Sequence, residues 1–168
     1  MAASMMAFGM ASGMASGMAS GCAHAPPPAP VAAPPAPPAA PVKRELAVIP
    51  AESDAFPAVA RAVSASLASA KVSGIDETRL SKVSLEVVQL AIECVEPTGT
   101  CYQAIGRSLA ANQLLFARID GATRRSLRVT VTLFDVDAKA EARSAQKVFA
   151  TEADATAGAA ALVEEVTR

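Results

Sequence analysis

Downstream of Lys43 the apolar positions change rhythm several times, and each change marks an element. Leu46 to Ile49 is a short apolar run closed by Pro50 and reads as a strand. Phe56, Val59, Val63, Leu67 and Ala70 then recur at helical spacing, with Ser53 and Asp54 available as N-caps and Pro57 tolerated in the first turn. Val72 to Ile75, interrupted by Gly74, predicts a weak second strand before a polar turn at Asp76-Glu77-Thr78. Ser81 to Glu93 fits two rhythms. Val83, Val87, Leu90 and Cys94 follow a helix, while Val83, Leu85 and Val87 alternate as a strand would. Its length and its place between a strand and a helix favour a helix.

Thr100 and Gln103 form a T-x-x-Q capping box after the turn Glu96-Pro97-Thr98-Gly99, so a helix is expected from there to about Ala111, with Cys101, Ile105 and Leu109 on one face. Gln113 to Asp120 is apolar on both faces, as a strand covered on both sides would be. After a turn at Asp120-Gly121, Leu127, Val129, Val131 and Leu133 alternate with Arg128, Thr130 and Thr132, which predicts a strand with one wet face. Asp135 to Lys139 lacks the Gly and terminal Glu of a calcium loop and reads as an ordinary turn. Arg143 to Ala150 is a more polar strand suited to a sheet edge, where Lys147 discourages pairing with other chains. Thr151 caps a last helix whose first turn carries Glu152 and Asp154, whose end carries Arg168, and whose apolar stripe is Ala159, Leu162, Val163 and Val166. The order predicts an α/β (α+β) domain over residues 43–168: a two-layer sandwich with a mixed sheet of about five strands, an antiparallel C-terminal meander and about four helices.

Upstream of Lys43 there is no charged residue. Met1 to Ser20 includes tandem Gly-Met-Ala-Ser units and leads into Gly21-Cys22, followed by an abrupt change to Pro and Ala. An apolar run ending in small residues before such a break has the logic of a signal peptide. Gly9, Gly13, Gly17 and Gly21 also make a small-residue ladder of the kind that lets membrane helices approach, but so much Gly, Ala and Ser is only weakly apolar and suits a transient segment better than a permanent span. Ala25 to Pro41 is Pro and Ala with a single Val31, a semi-rigid spacer that at ~3.1 Å per residue reaches roughly 50 Å.

The charges nearly balance, with 15 basic and 16 acidic side chains, so the domain has no electrostatic footprint for nucleic acid. His24 is the sole histidine and lies upstream of the domain, which leaves the domain without a His-based catalytic dyad or His metal site, and no cofactor is expected. Arg124, Arg125 and Arg128 form a small basic cluster that is either a partner surface or a solvated hairpin tip. Cys94 and Cys101 bracket the loop Val95 to Thr100. In an exported chain such a pair is expected to close a disulfide. A redox-active pair is the alternative, with Cys94, Cys101 and Tyr102 as its candidate residues, but the spacing is not C-x-x-C.

Ala19-Ser20-Gly21-Cys22 resembles the lipobox of bacterial lipoproteins, with Ala19 where Leu is usual and no basic residue ahead of the apolar run. That resemblance implies cleavage before Cys22 and lipidation of its thiol, giving a lipoprotein-type signal peptide at 1–21 and a lipidated cysteine with a proline-rich linker at 22–42. Within the domain, ELAVIP at Glu45 to Pro50, CYQAIGRSLAANQLLFARI at Cys101 to Ile119 and LRVTVTLFDV at Leu127 to Val136 resemble the N-terminal α/β domain of TolB and the CsgG-like envelope domains of proteobacterial, myxobacterial-type lipoproteins. The resemblance implies a non-enzymatic scaffold or protein-binding module with envelope protein partners, held to the periplasmic face of the outer membrane through lipid on Cys22. A thiol/disulfide redox module or small enzyme using Cys94 and Cys101 is the competing expectation.

Overall fold

The computed structural model describes residues 43–94, 96–123 and 126–168. The signal segment 1–21, Cys22 and the spacer 22–42 lie outside these residues, as do Arg124 and Arg125 of the basic cluster. Nine elements follow in order: β1 (Glu45–Val48), α1 (Pro57–Ser69), β2 (Glu77–Leu80), α2 (Leu85–Ala91), α3 (Gly99–Ser108), β3 (Gln113–Gly121), β4 (Leu127–Asp135), β5 (Ala140–Phe149) and α4 (Glu152–Thr167). The sheet runs β2-β1-β3-β4-β5. β1 lies parallel to both β2 and β3, while β3, β4 and β5 form the antiparallel meander that the sequence predicts.

The connections explain where the helices go. From β1 the chain crosses through α1 to β2 on one side; from β2 it returns through α2 and α3 past β1 to β3. Parallel crossovers are right-handed, so reversing direction along the sheet puts the second pair of helices on the opposite face. One face carries α1 and α4, whose Val59, Val63, Leu67, Ala159, Leu162 and Val166 pack on Leu46, Val48, Leu115, Val129, Val131 and Phe149. The other carries α2 and α3, whose Leu85, Val88, Cys101, Tyr102 and Ile105 pack on Ala47, Ile49, Leu114, Phe116 and Phe134. The mixed five-stranded sheet and four helices match the expected α+β fold; helices cover both faces, as the two-sided apolarity of Gln113 to Asp120 implies, so α2 and α3 add a smaller layer to the expected two.

Several local expectations change. Val72 to Ile75 is not a strand. Gly74 turns there with φ +77°, while Val72 and Ile75 pack partly buried against the α1 side. The second strand is β2, on residues that read as a polar turn. Its positions are mostly exposed, and it is held by hydrogen bonds from Asp76 and Glu77 to the Arg44 carbonyl and by charges across the edge. Glu45 and Glu77 stand opposite each other in register, and Lys43 and Arg79 bridge both carboxylates. With ion pairs in place of an apolar face, the strand had no period-two signal to read.

Ser81 to Glu93 is helical only over α2, which Ser84 caps by accepting from the Val87 amide at 3.4 Å. The α3 cap is Thr98, not Thr100: its hydroxyl accepts from the Cys101 amide at 3.3 Å. Gln103 instead is buried and donates to the Val136 carbonyl at 3.0 Å, tying α3 to the turn after β4. Ser53 bonds the Phe56 amide but caps no helix, because α1 starts at Pro57 with Phe56 as its uncapped N-cap. Asp135 makes an Asx turn, accepting from Asp137 and Ala138, and Thr151 caps α4 through the Asp154 amide, as the sequence implies.

Candidate functional site

Where connections leave neighbouring parallel strands for opposite faces, the carboxyl ends of those strands open into a crevice. Here the loop after β1 heads for α1 and the loop after β2 for α2, and a cleft of about 240 Å3 lies at that end of the sheet. It is lined by Pro50 and Glu52 from the first loop, Ser84, Glu86 and Gln89 at α2, Pro97 and Tyr102 at α3, and Arg118 and Asp120 on β3.

Tyr102 is the organising side chain. Its ring meets Phe116 at 4.8 Å and Phe134 at 5.3 Å between centroids, in tilted geometries favourable for aromatic pairs. Burial pushes its phenol upward from the ordinary tyrosine range, and Arg118, by charge and by hydrogen bonding, partly offsets that push. The hydroxyl therefore stays protonated near neutral pH, and its oxygen accepts from the Arg118 guanidinium. Phe116 and Arg118 share a face of β3 because alternate residues point the same way, so the strand that fills the core under α3 also carries the guanidinium into the cleft. Carboxylates at Glu52, Glu86 and Asp120, the Gln89 amide, the phenol and Arg118 can together hold a polar or charged ligand group. Among the described residues, no three of His, Cys, Asp and Glu are grouped to hold a metal ion.

The cysteines lie beside this cleft. Cys94 and Cys101 are joined by a disulfide, with their Cα atoms 5.8 Å apart. Cys101 is buried at 4% exposure, on the inward face that the spacing with Ile105 predicts, and Cys94 is partly buried. The bond ties the end of α2 to the first turn of α3. Tyr102, named with the cysteines as a redox candidate, turns instead to the aromatic cluster and Arg118.

Of the basic cluster, Arg128 alone lies within the described residues. It is exposed on β4, in register with Asp120 on β3 and Val148 on β5. Together with Asp120, Thr130, Ser144 and Gln146 it extends an open, mostly polar face that includes the exposed Val148. Sequence reasoning missed Glu52, Glu86, Gln89, Arg118 and Asp120. Arg118 and Asp120 were readable, since they continue the alternation of Leu114 and Phe116; the loop residues come together only through the crossovers.

Among the described residues no helix is long and apolar enough to cross a membrane. No protein-family model matches the chain, and no curated protein matches it. Solved structures with a similar course include a PelC dodecamer from Paraburkholderia phytofirmans, 17% identical over 74% of this chain and 88% of that one, with a TM-score of 0.44. The LpoB C-terminal domain from Salmonella enterica is 14% identical over 64% of this chain and 84% of its own, with a TM-score of 0.40. The corresponding domain from Escherichia coli is 15% identical over 63% and 82%, with a TM-score of 0.38. At these scores the likenesses carry no functional argument.

Proposed function

We propose that the chain is a non-enzymatic envelope lipoprotein, anchored by lipid on Cys22 to the periplasmic face of the outer membrane, whose domain at 43–168 binds a protein partner in the manner of TolB-N-like modules. The observation that carries this reading is the Cys94–Cys101 disulfide. Such bonds persist in oxidising compartments and are rare in the cytosol, so the bond agrees with the export that the Cys22 context implies. The Pro/Ala spacer then sets the reach of the domain from its anchor. The test is the mass of the N-terminus of protein extracted from membranes. Acylated Cys22 as the first residue is the expected result; an intact Met1 to Gly21 overturns the lipoprotein.

The disulfide also keeps a redox module as the second reading. Cys101 is sealed within the core, where a thiolate is disfavoured and an attacking thiol has little access. Alkylation of the protein after mild reduction separates the two. Slow labelling of Cys101 that speeds only on unfolding supports a structural staple, and rapid labelling of both cysteines overturns it.

A further inference from the structure

Val83, Val87 and Leu90 fall at the helical spacing read from the sequence, yet they are 41%, 47% and 79% exposed. α2 turns Leu85 and Val88 inward instead, and the stripe faces out. Beside it runs a groove of about 490 Å3, lined by Glu86, Gln89, Leu90, Glu93 and Cys94. Its two carboxylates are seven residues apart in the chain, Glu86 in the first turn of α2 and Glu93 just past the helix end, on either side of Leu90. Among the described residues, neither Glu86 nor Glu93 belongs to an ion pair.

We infer that this face of α2 is a docking surface for a basic amphipathic helix of another protein, a reading that rests on the protein-binding role proposed above and names its surface. The charges select the occupant. A second copy laid symmetrically on α2 would set Glu86 and Glu93 against the same two carboxylates, and like charges oppose that contact. The chain's own Pro/Ala segment has no charged residue before Lys43 and cannot answer them. An anionic membrane surface is repelled. A partner helix with Lys or Arg seven residues apart beside an apolar stripe meets both needs: the aliphatic stems cover Leu90 while the cationic heads reach the carboxylates. The disulfide holds the far end of the groove, so α2 presents a preformed surface.

The full chain is titrated with two synthetic helical peptides identical in apolar positions, one carrying Lys at the seven-residue spacing and one carrying Glu. Fluorescence anisotropy should show binding of the Lys peptide only, weakening with added salt. Binding should weaken roughly fivefold in the Glu86→Gln/Glu93→Gln double variant, as two exposed ion pairs warrant, and about tenfold in Leu90→Ser, from lost apolar burial. All three sites are exposed, and circular dichroism confirms that the variants fold. Equal binding of both peptides, or variants that bind as the parent does, overturns the inference. So does a self-associated state that Leu90→Ser dissolves, since that assigns the face to a second copy. Photocrosslinkers at position 90 and at position 128 separate this inference from the broader role. Partner capture at 128 with silence at 90 removes the groove and leaves the binding module standing, and an unprocessed Cys22 removes the lipoprotein without touching the peptide result.

Discussion

The two faces of the sheet are built to different standards. On the α1 and α4 side, long helices cross the meander and cover it, and Val59, Val63, Leu67 and Val131 are fully buried. On the other side α2 has only Leu85 and Val88 buried, α3 covers part of the surface, and the far half of the face is left to Arg118, Asp120, Arg128, Thr130 and Gln146. The first face is cohesive chiefly by apolar burial, with Ser64 hydrogen-bonding the Ala51 backbone beside it. The second adds a covalent staple, an aromatic cluster around Tyr102 and a buried amide bond from Gln103, and it also carries the cleft, the groove and the open polar surface. Surfaces available to partners accumulate where apolar cover is thin, and the specific bonds hold that thin cover in place.

The sharpest way to break the comparison is to remove apolar volume from each side. Leu67→Ala should cost about 3 kcal/mol, because the α1 and α4 contact cannot collapse around the cavity. Leu85→Ala should cost about 2 kcal/mol at most, because the short α2 can settle inward; equal losses in urea denaturation would erase the distinction. Replacing both Cys94 and Cys101 with Ser should lose about 2.5 kcal/mol by opening the closed loop. Hydrogen exchange should then rise first in α2 while α4 keeps its protection, and uniform loosening would show that the staple serves both faces equally.

Close approach is the next test. A Cβ on Gly106 would stand 2.2 Å from a Val136 methyl carbon, and one on Gly158 2.6 Å from the Phe149 ring edge. Gly106→Ala should destabilise by about 1 to 2 kcal/mol despite the better helix propensity of Ala, since Val136 meets the new methyl with both of its branches. Gly158→Ala should cost less, because only the far end of an aromatic side chain must shift.

Backbone geometry gives a gain where the others give losses. α2 ends in a Schellman motif, with the Glu93 amide bonding Leu90 and the Cys94 amide bonding Gln89, and Glu93 sits at φ +55° where Gly is favoured. Glu93→Gly should therefore stabilise the domain by about 1 kcal/mol in thermal melts. α3 ends the same way at Ala110, φ +51°, so a matching gain from Ala110→Gly would show the effect to be conformational and independent of the Glu93 carboxylate.

The smallest effect lies at the β2 edge. Hydrogen bonds and charge from Lys43 and Arg79 lower Glu77 from 4.5 to about 2. A carboxylate lowered in the folded state contributes stability that is present above its unfolded value and lost as pH falls from about 4.5 through about 2. The pair is exposed, so the contribution is small and fades with salt. Glu77→Gln should remove that portion of the acid dependence, and an unchanged profile would place it elsewhere.

The meander, α1 and α4 were legible in the chain because their apolar periods are long. Leu127 to Leu133 alternates cleanly, and Thr151 stands just ahead of the helix it caps. The parallel edge was not legible, because β2 is held by charges and by register with Glu45 and so carries no hydrophobic rhythm of its own. The cap of α3 misled for a different reason. Thr98 and Thr100 are both able to cap, and the choice follows from Gln103 turning inward to Val136, a contact thirty-three residues away. The spacing of Val83, Val87 and Leu90 was legible but not their exposure, since one short helix cannot turn both of its apolar rows to the core. The cleft was partly legible through Arg118 and Asp120; Glu52 and Glu86 reach it only through the crossing connections.

β1 begins two residues beyond Lys43, directly downstream of the spacer, and lies between two neighbours rather than at an edge. A pull transmitted through Lys43 is therefore borne by β2 over Glu45 to Val48 and by β3 over Leu46 to Val48 at once. Tension along the strand loads both ladders together in shear, whereas an edge strand would peel away one bond at a time. A load applied at Lys43 is thus met by two ladders in shear, away from the edge strand β2.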